Sequence, residues 1–252
     1  MFYTNSNIYD ITLQDDTNIF KSLVTVANES LRYPNRPHNH SPTMPFHELY
    51  LSLFNPLNES RKRTGPALAR AKTGPHGPGH LSTTEYRRVI VERFISRWRK
   101  DVGDDFYPAM RLIVPEKDRD RAMYGLKERG IGKILVKIMK VDKAAEDAQL
   151  LLNWKLPGNT SASRMAGDFA GRCYEIISKR PVRTSVGNMS IAEVNEYLDK
   201  LAVAQKEDQQ VPIFEHFYQN MNAEELLWLI RIMLRQMKVG ATEKTILNVS
   251  SG

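Results

Sequence analysis

The sequence predicts an all-α fold, and two observations indicate it. From about residue 83 onward, apolar side chains recur at i, i+3, i+4 and i+7, which lines one face of an α-helix, whereas alternating strand-like runs are nearly absent. Capping boxes mark two helix starts, Ser190 with Glu193 and Asn222 with Glu225. We therefore expect packed amphipathic helices, either as one large domain or as two lobes that share a core.

Composition limits the class of protein. The chain has 252 residues, 41% of them hydrophobic, and its 36 Lys+Arg against 29 Asp+Glu give a net charge of +7, which is compatible with a polyanionic partner. Its single cysteine, Cys173, excludes an internal disulfide and is predicted to be a small core residue. Because no apolar run reaches about 18 residues and no secretory signal is visible, we expect an intracellular protein.

The first part of the chain alternates between flexible and helical patterns. Residues 1–42 are polar and end in a proline-rich run, which predicts a disordered arm before a domain over residues 43–252. Residues 55–82 contain a Gly/Pro-rich stretch and are predicted to be a flexible insertion. Between the two, a helix is predicted over residues 45–54, with one apolar face formed by Phe46, Leu49, Tyr50 and Leu53.

The rest of the chain supplies the remaining helices and the core. Helical apolar faces are formed by Val91, Phe94, Ile95 and Trp98, by Ile131, Ile134, Leu135 and Ile138, and by Ile191, Val194, Leu198 and Leu201. Trp98 and Trp228 are predicted to be core anchors, because large aromatic side chains bury the most apolar surface.

The last predicted helix, over residues 224–238, carries the clearest charge pattern. At 100° per residue, Arg231, Arg235 and Lys238 fall within about 60° of one another, opposite an apolar face. This stripe leads to Gly240, a plausible residue for ending a helix, and to Thr242, which can cap a further helix whose first amides bind an anion. Such an arrangement can engage successive phosphates.

Two further basic clusters follow helical spacing. One consists of Lys133, Lys137 and Lys140, and the other consists of Arg87, Arg88, Arg93, Arg97 and Arg99. Each cluster can equally be the solvated face of an amphipathic helix. Charge pattern alone therefore leaves both DNA binding and an inert surface open.

Several sequence blocks resemble one protein family in order and spacing. They include Asp-Phe-Tyr-Pro-Ala-Met-Arg-Leu-Ile-Val-Pro at 105–115, Tyr-Gly-Leu-Lys-Glu at 124–128, Leu-Asp at 198–199, and the segment 228–246 with its Trp-Leu-Ile-Arg and Lys-Val-Gly elements. Residues 45–249 resemble the N-terminal DNA-binding domain of ATP-dependent DNA ligases, of the DNA ligase IV type that acts in non-homologous end joining. The resemblance implies a two-lobed all-helical domain, which lies across the minor groove on both sides of a nick and contacts the sugar-phosphate backbone.

The resemblance also implies particular DNA contacts and partners. The residues that it assigns to DNA contacts are Arg235, Gln236, Lys238, Gly240, Thr242 and Lys244, and it also points to Arg231, Arg87, Lys127 and Gly167. Arg231 has an alternative role, an ion pair with a carboxylate of a neighbouring helix, and Asp168 is expected to cap a helix. The implied partner is nicked or broken double-stranded DNA, bound by a monomer in the nucleus.

The chemistry of a ligase is missing from this chain. A ligase needs a lysine nucleophile in a Lys-x-Asp-Gly motif, and neither this motif nor a Gly-x-x-x-x-Gly-Lys-Ser/Thr loop occurs. We therefore expect no catalytic residue and no cofactor here, and we assign the ATP and Mg²⁺ of the family to a separate catalytic core. A fragment, a truncated gene product and a stand-alone DNA-binding module all remain open.

Other functions are also compatible with parts of the sequence. A helical interaction module is one alternative, since in some lineages the first helices of the resembled domain dock the end-processing nuclease Artemis; residues 46–53 and 88–98 correspond to them here. A zinc site at His76 and His80, near His38 and His40, lacks a cysteine partner. A two-metal nuclease site at Asp101, Asp104 and Asp105 competes with the ordinary use of Asp in turns.

Overall fold

The structure, a computed structural model, describes residues 37–62, 82–122, 124–155, 167–180, 183–237 and residue 239. By its internal contacts the chain divides into two units, Met1–Asn39 and His40–Gly252, and every helix described below belongs to the second. Across these described ranges there is no β-strand, and an isolated antiparallel bridge joins Pro45 to Ser190. The prediction of an all-α fold is confirmed. The division into two lobes stays a prediction.

Ordered structure begins before the boundary that the sequence suggested. The backbone amides of His40 and Ser41 donate to the carbonyl oxygen of Val102 at 2.8 Å and 3.0 Å. A disordered arm that extends to residue 42 is therefore wrong at its last residues, because their backbone groups are paired with the body of the domain. Residues 1–36 of the expected arm lie outside the described ranges.

The first helix, α1, has three parts: His47–Leu49, a π-helical turn Tyr50–Phe54, and Asn55–Lys62. The amide of Asn55 donates to the carbonyl of Tyr50, five residues back. Proline has no amide for the ordinary helical ladder and crowds the preceding turn, so the wider π turn lets the helix continue through Pro56.

The second part of α1 corrects the prediction for residues 55–82. Asn55–Lys62 is helical rather than flexible, because Leu57 and Ser60 are completely buried and Ser60 donates to the carbonyl of Leu57 at 2.6 Å. Apolar burial at Leu57 outweighs the polar composition around it. Residues 63–81 of the expected insertion, including its Gly/Pro-rich centre, lie outside the described ranges.

Eight more helices complete the described part of the fold. They are α2 (Thr83–Asp101), α3 (Tyr107–Ile113, followed by a 3₁₀ turn Pro115–Lys117), α4 (Glu128–Ile138), α5 (Glu146–Leu152), α6 (Phe169–Ile177), α7 (Ile191–Val203), α8 (Glu207–Asn220) and α9 (Ala223–Met233). None of them is long and apolar enough to cross a lipid bilayer.

The two predicted capping boxes are confirmed. The side chain of Ser190 accepts a hydrogen bond from the amide of Glu193 at the start of α7, and Glu193 accepts from the amide of Ser190 in return. Asn222 and Glu225 make the same reciprocal pair at the start of α9. Each box satisfies two amides that the helix itself leaves without a partner, so these helix starts are fixed locally.

One continuous apolar core joins the helices. The three predicted apolar faces lie in it, except that Ile138 is only partly buried. Trp98 and Trp228 are buried as predicted, at 0% and 1% exposure. Trp98 donates to the carbonyl of Asp105 at 3.0 Å, and the ring of Trp228 lies 4.7 Å from that of Phe54.

Two smaller predictions about the core are also confirmed. Phe46 and Leu49 are fully buried, which assigns them to the core. Cys173 is fully buried, and burial raises the pKa of its thiol well above the ordinary value because the thiolate would be desolvated. The thiol is therefore a small apolar group in this fold and not a nucleophile.

Candidate nucleic-acid interface

The end of α9 is the centre of the candidate interface. The helix ends at Met233, after which the amide of Arg235 donates to the carbonyl of Ile232 at 3.0 Å and the amide of Gln236 to that of Arg231 at 2.9 Å. Arg235 has φ 54°, in the left-handed region. These features together are a Schellman motif, which satisfies the last carbonyls of the helix and reverses the chain.

This turn corrects the predicted basic stripe. The stripe assumed helical geometry as far as residue 238, but the left-handed residue at 235 ends that geometry, so Arg235 does not share a helix face with Arg231. A left-handed conformation costs a non-glycine residue about 1–2 kcal/mol. The turn therefore holds an arginine where glycine would be easier. The predicted contacts Lys238, Gly240, Thr242 and Lys244 lie outside the described residues.

Arg231 takes the alternative role that the sequence left open. Its Nη2 donates to Oδ2 of Asp168 at 2.9 Å, and its guanidinium lies 4.8 Å from the ring centre of Trp228. The side chain is only 11% exposed. The guanidinium thus ties α9 to the start of α6 and is held by the protein rather than presented to DNA.

The start of α6 lies beside α9 through this ion pair. Asp168 occupies the N-cap position of α6, but its side chain makes no capping bond to the helix backbone. The predicted capping role of Asp168 is therefore wrong, because its carboxylate is turned toward Arg231. The preceding residue, Gly167, is exposed with φ 86°, a conformation that favours glycine.

The α9 turn also contacts Arg121 and Glu128. Nη2 of Arg235 donates to the carbonyl of Arg121 at 3.4 Å, and Nε2 of Gln236 donates to Oε1 of Glu128 at 3.2 Å. Lys127, immediately before Glu128, is exposed at the N-cap position of α4. The structure therefore brings Arg235, Gln236 and Lys127 together from two distant parts of the sequence.

Arg121 belongs to a cluster of two arginines and two aspartates, in which Asp118 and Arg121 are buried and Asp199 is exposed at the edge. We call it the Arg–Asp quartet (Arg111, Asp118, Arg121, Asp199). Arg121 donates from Nε to Oδ1 of Asp199 at 2.8 Å, and Arg111 donates to both oxygens of Asp199 at 2.7 Å and 3.1 Å. Asp118 accepts from Nε of Arg111 at 3.0 Å and lies 3.5 Å from Arg121. Although partial burial opposes it, these hydrogen bonds lower the pKa of Asp199.

Sequence reasoning missed this quartet. Asp199 was visible only as part of a Leu-Asp pair in the resemblance, and 78 and 88 positions separate it from Arg121 and Arg111. No short-range spacing rule connects residues so far apart, so only the packing of α3 and α7 reveals the contact.

Arg87 does not join the site in these contacts. Its Nε donates to Oγ of Ser60 at 2.8 Å, which ties α2 to α1. In the same cluster, Arg97 forms a bidentate pair with Glu48 at 2.7 Å and 3.0 Å. These two members of the α2 cluster are thus occupied by the protein, as the alternative of an inert helix surface predicts.

The α4 cluster is also not a continuous stripe. Lys137 pairs with Glu207 of α8 at 3.0 Å. Lys140 lies beyond the end of α4 with φ 53°, because α4 ends in the same kind of turn as α9: Lys140 and Val141 donate to the carbonyls of Lys137 and Val136, each at 3.1 Å. Lys133 and Lys137 are exposed on α4 as predicted, but Lys137 is engaged by Glu207 and Lys140 lies outside the helix.

Metal chemistry finds little support in the described ranges. They contain no group of His, Cys, Asp or Glu side chains arranged to hold a metal ion. Oδ1 of Asp105 accepts from the amide of Tyr107 at 3.0 Å, the turn role that was expected of it, and Asp101 pairs with Arg97. His76 and His80 lie outside the described residues.

Comparison with known proteins identifies the family. Residues 45–251 match the family model described as "DNA ligase N terminus". This chain belongs to the DNA ligase N-terminal domain family. The match begins at the residue before Phe46 and extends beyond the α9 turn, so it includes every helix described above. The resemblance inferred from the sequence blocks is confirmed.

The ligase domain is also similar to curated fungal proteins named DNA ligase 4. It is 69% identical to the protein of Coccidioides immitis over 220 residues, 86% of this chain and 22% of the relative. The corresponding values are 56%, 89% and 22% for Neurospora crassa and 44%, 82% and 20% for Yarrowia lipolytica. The chain thus spans about a fifth of the length of these relatives.

Proposed function

We propose that the ligase domain binds double-stranded DNA around nicks or breaks without sequence preference, as the DNA-binding part of an ATP-dependent ligase that repairs double-strand breaks by end joining in the nucleus. The observation that carries the proposal is the meeting of the α9 turn with residues 121–128. Through these contacts Arg235 and Gln236 lie close to Lys127, where α9 ends and α4 begins. The high identity to proteins named DNA ligase 4 supports the repair context.

The chemistry of this surface suits a phosphate backbone. Arg235 and Lys127 are cations, Gln236 offers amide hydrogens, and the Schellman motif fixes the backbone that carries two of them. Cations and amides that contact phosphates supply affinity without reading bases, which is the behaviour needed at breaks of any sequence. The net charge of +7 favours the same polyanionic partner.

We assign the nick-sealing reaction to a separate catalytic core. The chain has no Lys-x-Asp-Gly nucleophile, and the described residues offer no carboxylate cluster for Mg²⁺. These residues therefore do not fit ATP and Mg²⁺, and we propose that both act at a catalytic core which this chain does not carry.

A second candidate function is protein docking on the first helices. Leu51 of α1 is 49% exposed, whereas Tyr50 and Leu53 of the same helix are buried, so an apolar side chain of α1 is accessible to a partner. This candidate predicts a domain that captures an end-processing nuclease, and it does not require affinity for bare DNA.

A salt titration separates the two functions. The protein is titrated against fluorescently labelled nicked duplex DNA at several salt concentrations, together with the double variant Arg235→Glu/Lys238→Glu. A matched control, Lys143→Glu/Lys179→Glu, changes the net charge by the same amount at two exposed lysines, of which Lys179 lies beyond the opposite end of α6 from Gly167.

We expect the affinity of the wild type for DNA to fall steeply with salt through counterion release. A plot of the logarithm of the binding constant against the logarithm of salt concentration should have a slope of about −0.9 per neutralised phosphate. The Arg235/Lys238 variant should lose binding while keeping its helicity, and the Lys143/Lys179 control should retain most of it. Equal affinities for the wild type and the Arg235/Lys238 variant would contradict the proposal and favour the docking function.

A further inference from the structure

The Arg–Asp quartet has no role in the contacts proposed for DNA, although one of its members, Arg121, contacts Arg235. Asp118 and Arg121 are buried with 2% side-chain exposure each, and Asp199 is 47% exposed at the edge of the group. Two positive and two negative charges make the quartet electrically neutral, so it contributes no net attraction for a phosphate. A role in DNA binding would therefore come from the position in which it holds the backbone of Arg121.

The quartet fixes the short segment that touches Arg235. The guanidinium of Arg121 donates to Asp199, to Oδ1 of Asn195 at 2.7 Å and to the hydroxyl of Tyr124 at 3.4 Å. Nearly all of its hydrogen-bonding capacity is thereby directed at α7 and at its own turn. The carbonyl of the same residue then accepts from Nη2 of Arg235. Arg121 is thus held by its hydrogen bonds to Asp199, Asn195 and Tyr124, and its carbonyl oxygen in turn holds Arg235 of the α9 turn.

We propose that Asp199 and Arg121 are positioning residues for DNA binding, which act by holding Arg235 in place through the carbonyl of Arg121. This inference rests on the proposed function. It has an unusual consequence, because Asp199 is an acid and simple electrostatics predicts that removing its charge tightens DNA binding. A positioning role predicts instead that removing the charge weakens DNA binding.

The substitution Asp199→Asn tests whether loss of this charge weakens or tightens DNA binding. An asparagine can keep one oxygen in the place of Oδ1, which accepts from both arginines, but it presents N–H donors to Nη1 of Arg111 in the place of Oδ2. The bidentate pair with Arg111 is then lost, and both guanidinium groups lose the charge that strengthens their hydrogen bonds. We expect the affinity for nicked DNA to fall about threefold to tenfold, which lies in the lower part of the roughly twofold to 150-fold range of coupled contacting residues. The matched control is Asp147→Asn, which removes a carboxylate from another ion pair, between α5 and Arg180 just after α6, at 2.7 Å. This control should bind DNA as the wild type does or slightly more tightly.

A double-mutant cycle shows whether Asp199 acts through Arg235. If it does, Asp199→Asn should weaken the wild type but should not weaken Arg235→Ala further, since the positioned side chain is already gone. A general loosening of the fold would instead weaken both backgrounds by the same factor. Binding is measured well below the unfolding midpoint of every variant, so that each one is fully folded.

A second variant keeps the test valid if Asp199→Asn fails to fold. Asp199→Glu retains the charge but shifts the carboxylate by one methylene, so electrostatics predicts no change and positioning predicts a loss that disappears in the Arg235→Ala background. Tighter or unchanged binding by the folded Asp199 variant, or an equal loss in both backgrounds, would overturn this proposal. Absence of DNA binding by the wild type would instead refute the proposed function itself.

Discussion

Replacing Arg235 by glycine and by alanine should separate its two roles. Both changes remove the guanidinium and its contact with the carbonyl of Arg121, so any stability lost with the side chain is common to both. They differ in the backbone. At φ 54° a Cβ is strained and glycine is not. We therefore expect Arg235→Gly to be more stable than Arg235→Ala.

The size of this difference follows from the left-handed penalty. A non-glycine residue loses about 1–2 kcal/mol in this conformation, and glycine gives back part of that through its larger unfolded-state entropy, about 0.5–1 kcal/mol. The net advantage of Arg235→Gly is then about 1 kcal/mol, or about 2–4 °C in the unfolding midpoint for a domain of this size. Thermal unfolding followed by circular dichroism measures it.

The two Arg235 variants should differ in stability but not in DNA binding. Both variants should lose affinity, and each should reduce the slope of the salt dependence by about one unit if the guanidinium contacts one phosphate. Lys140 is the matched control: it has φ 53° at the end of α4, so Lys140→Gly should likewise be more stable than Lys140→Ala. Neither control should lose the DNA affinity that the Arg235 variants lose.

Two outcomes would refute the reasoning about Arg235. Equal stability of its glycine and alanine variants would mean that the α9 turn does not adopt the left-handed conformation in solution. An unchanged salt slope in both variants would mean that Arg235 makes no phosphate contact. The two readouts are independent, so either part can fail alone.

Three further predictions concern the core and the chemistry. Gly187→Ala should destabilise the domain by several kcal/mol in chemical denaturation, because a Cβ there would lie 2.3 Å from the carbonyl oxygen of Asn220; a loss below about 1 kcal/mol would contradict this packing. Trp98→Ala and Trp228→Ala should each cost about 3–5 kcal/mol in the same assay, since both rings are fully buried. Incubation with ATP and Mg²⁺ should leave the purified chain unmodified, and a lysine-linked adenylate in its mass spectrum would disprove that prediction.

The helices and their core faces were largely predictable because they depend on local sequence. The spacing of Ile191, Val194, Leu198 and Leu201 predicted a face that is fully buried, and the reciprocal caps at Ser190 and Asn222 depend only on residues three positions apart. Residues 55–62 were the main local error. Their polar composition predicted flexibility, but Leu57 and Ser60 are fully buried and this part of α1 packs against α2.

The sequence by itself thus determined the all-α class, the capped helix starts, the core tryptophans and the family, because each depends on neighbouring residues or on ordered sequence blocks. Only the tertiary structure determined which charged side chains are paired within the protein. Arg231 pairs with Asp168, Arg235 turns out of the helix to meet Arg121, and the Arg–Asp quartet forms across α3 and α7. Whether a cation is free or paired depends on carboxylates that lie close in space and far away in sequence, and no periodicity along the chain contains that information.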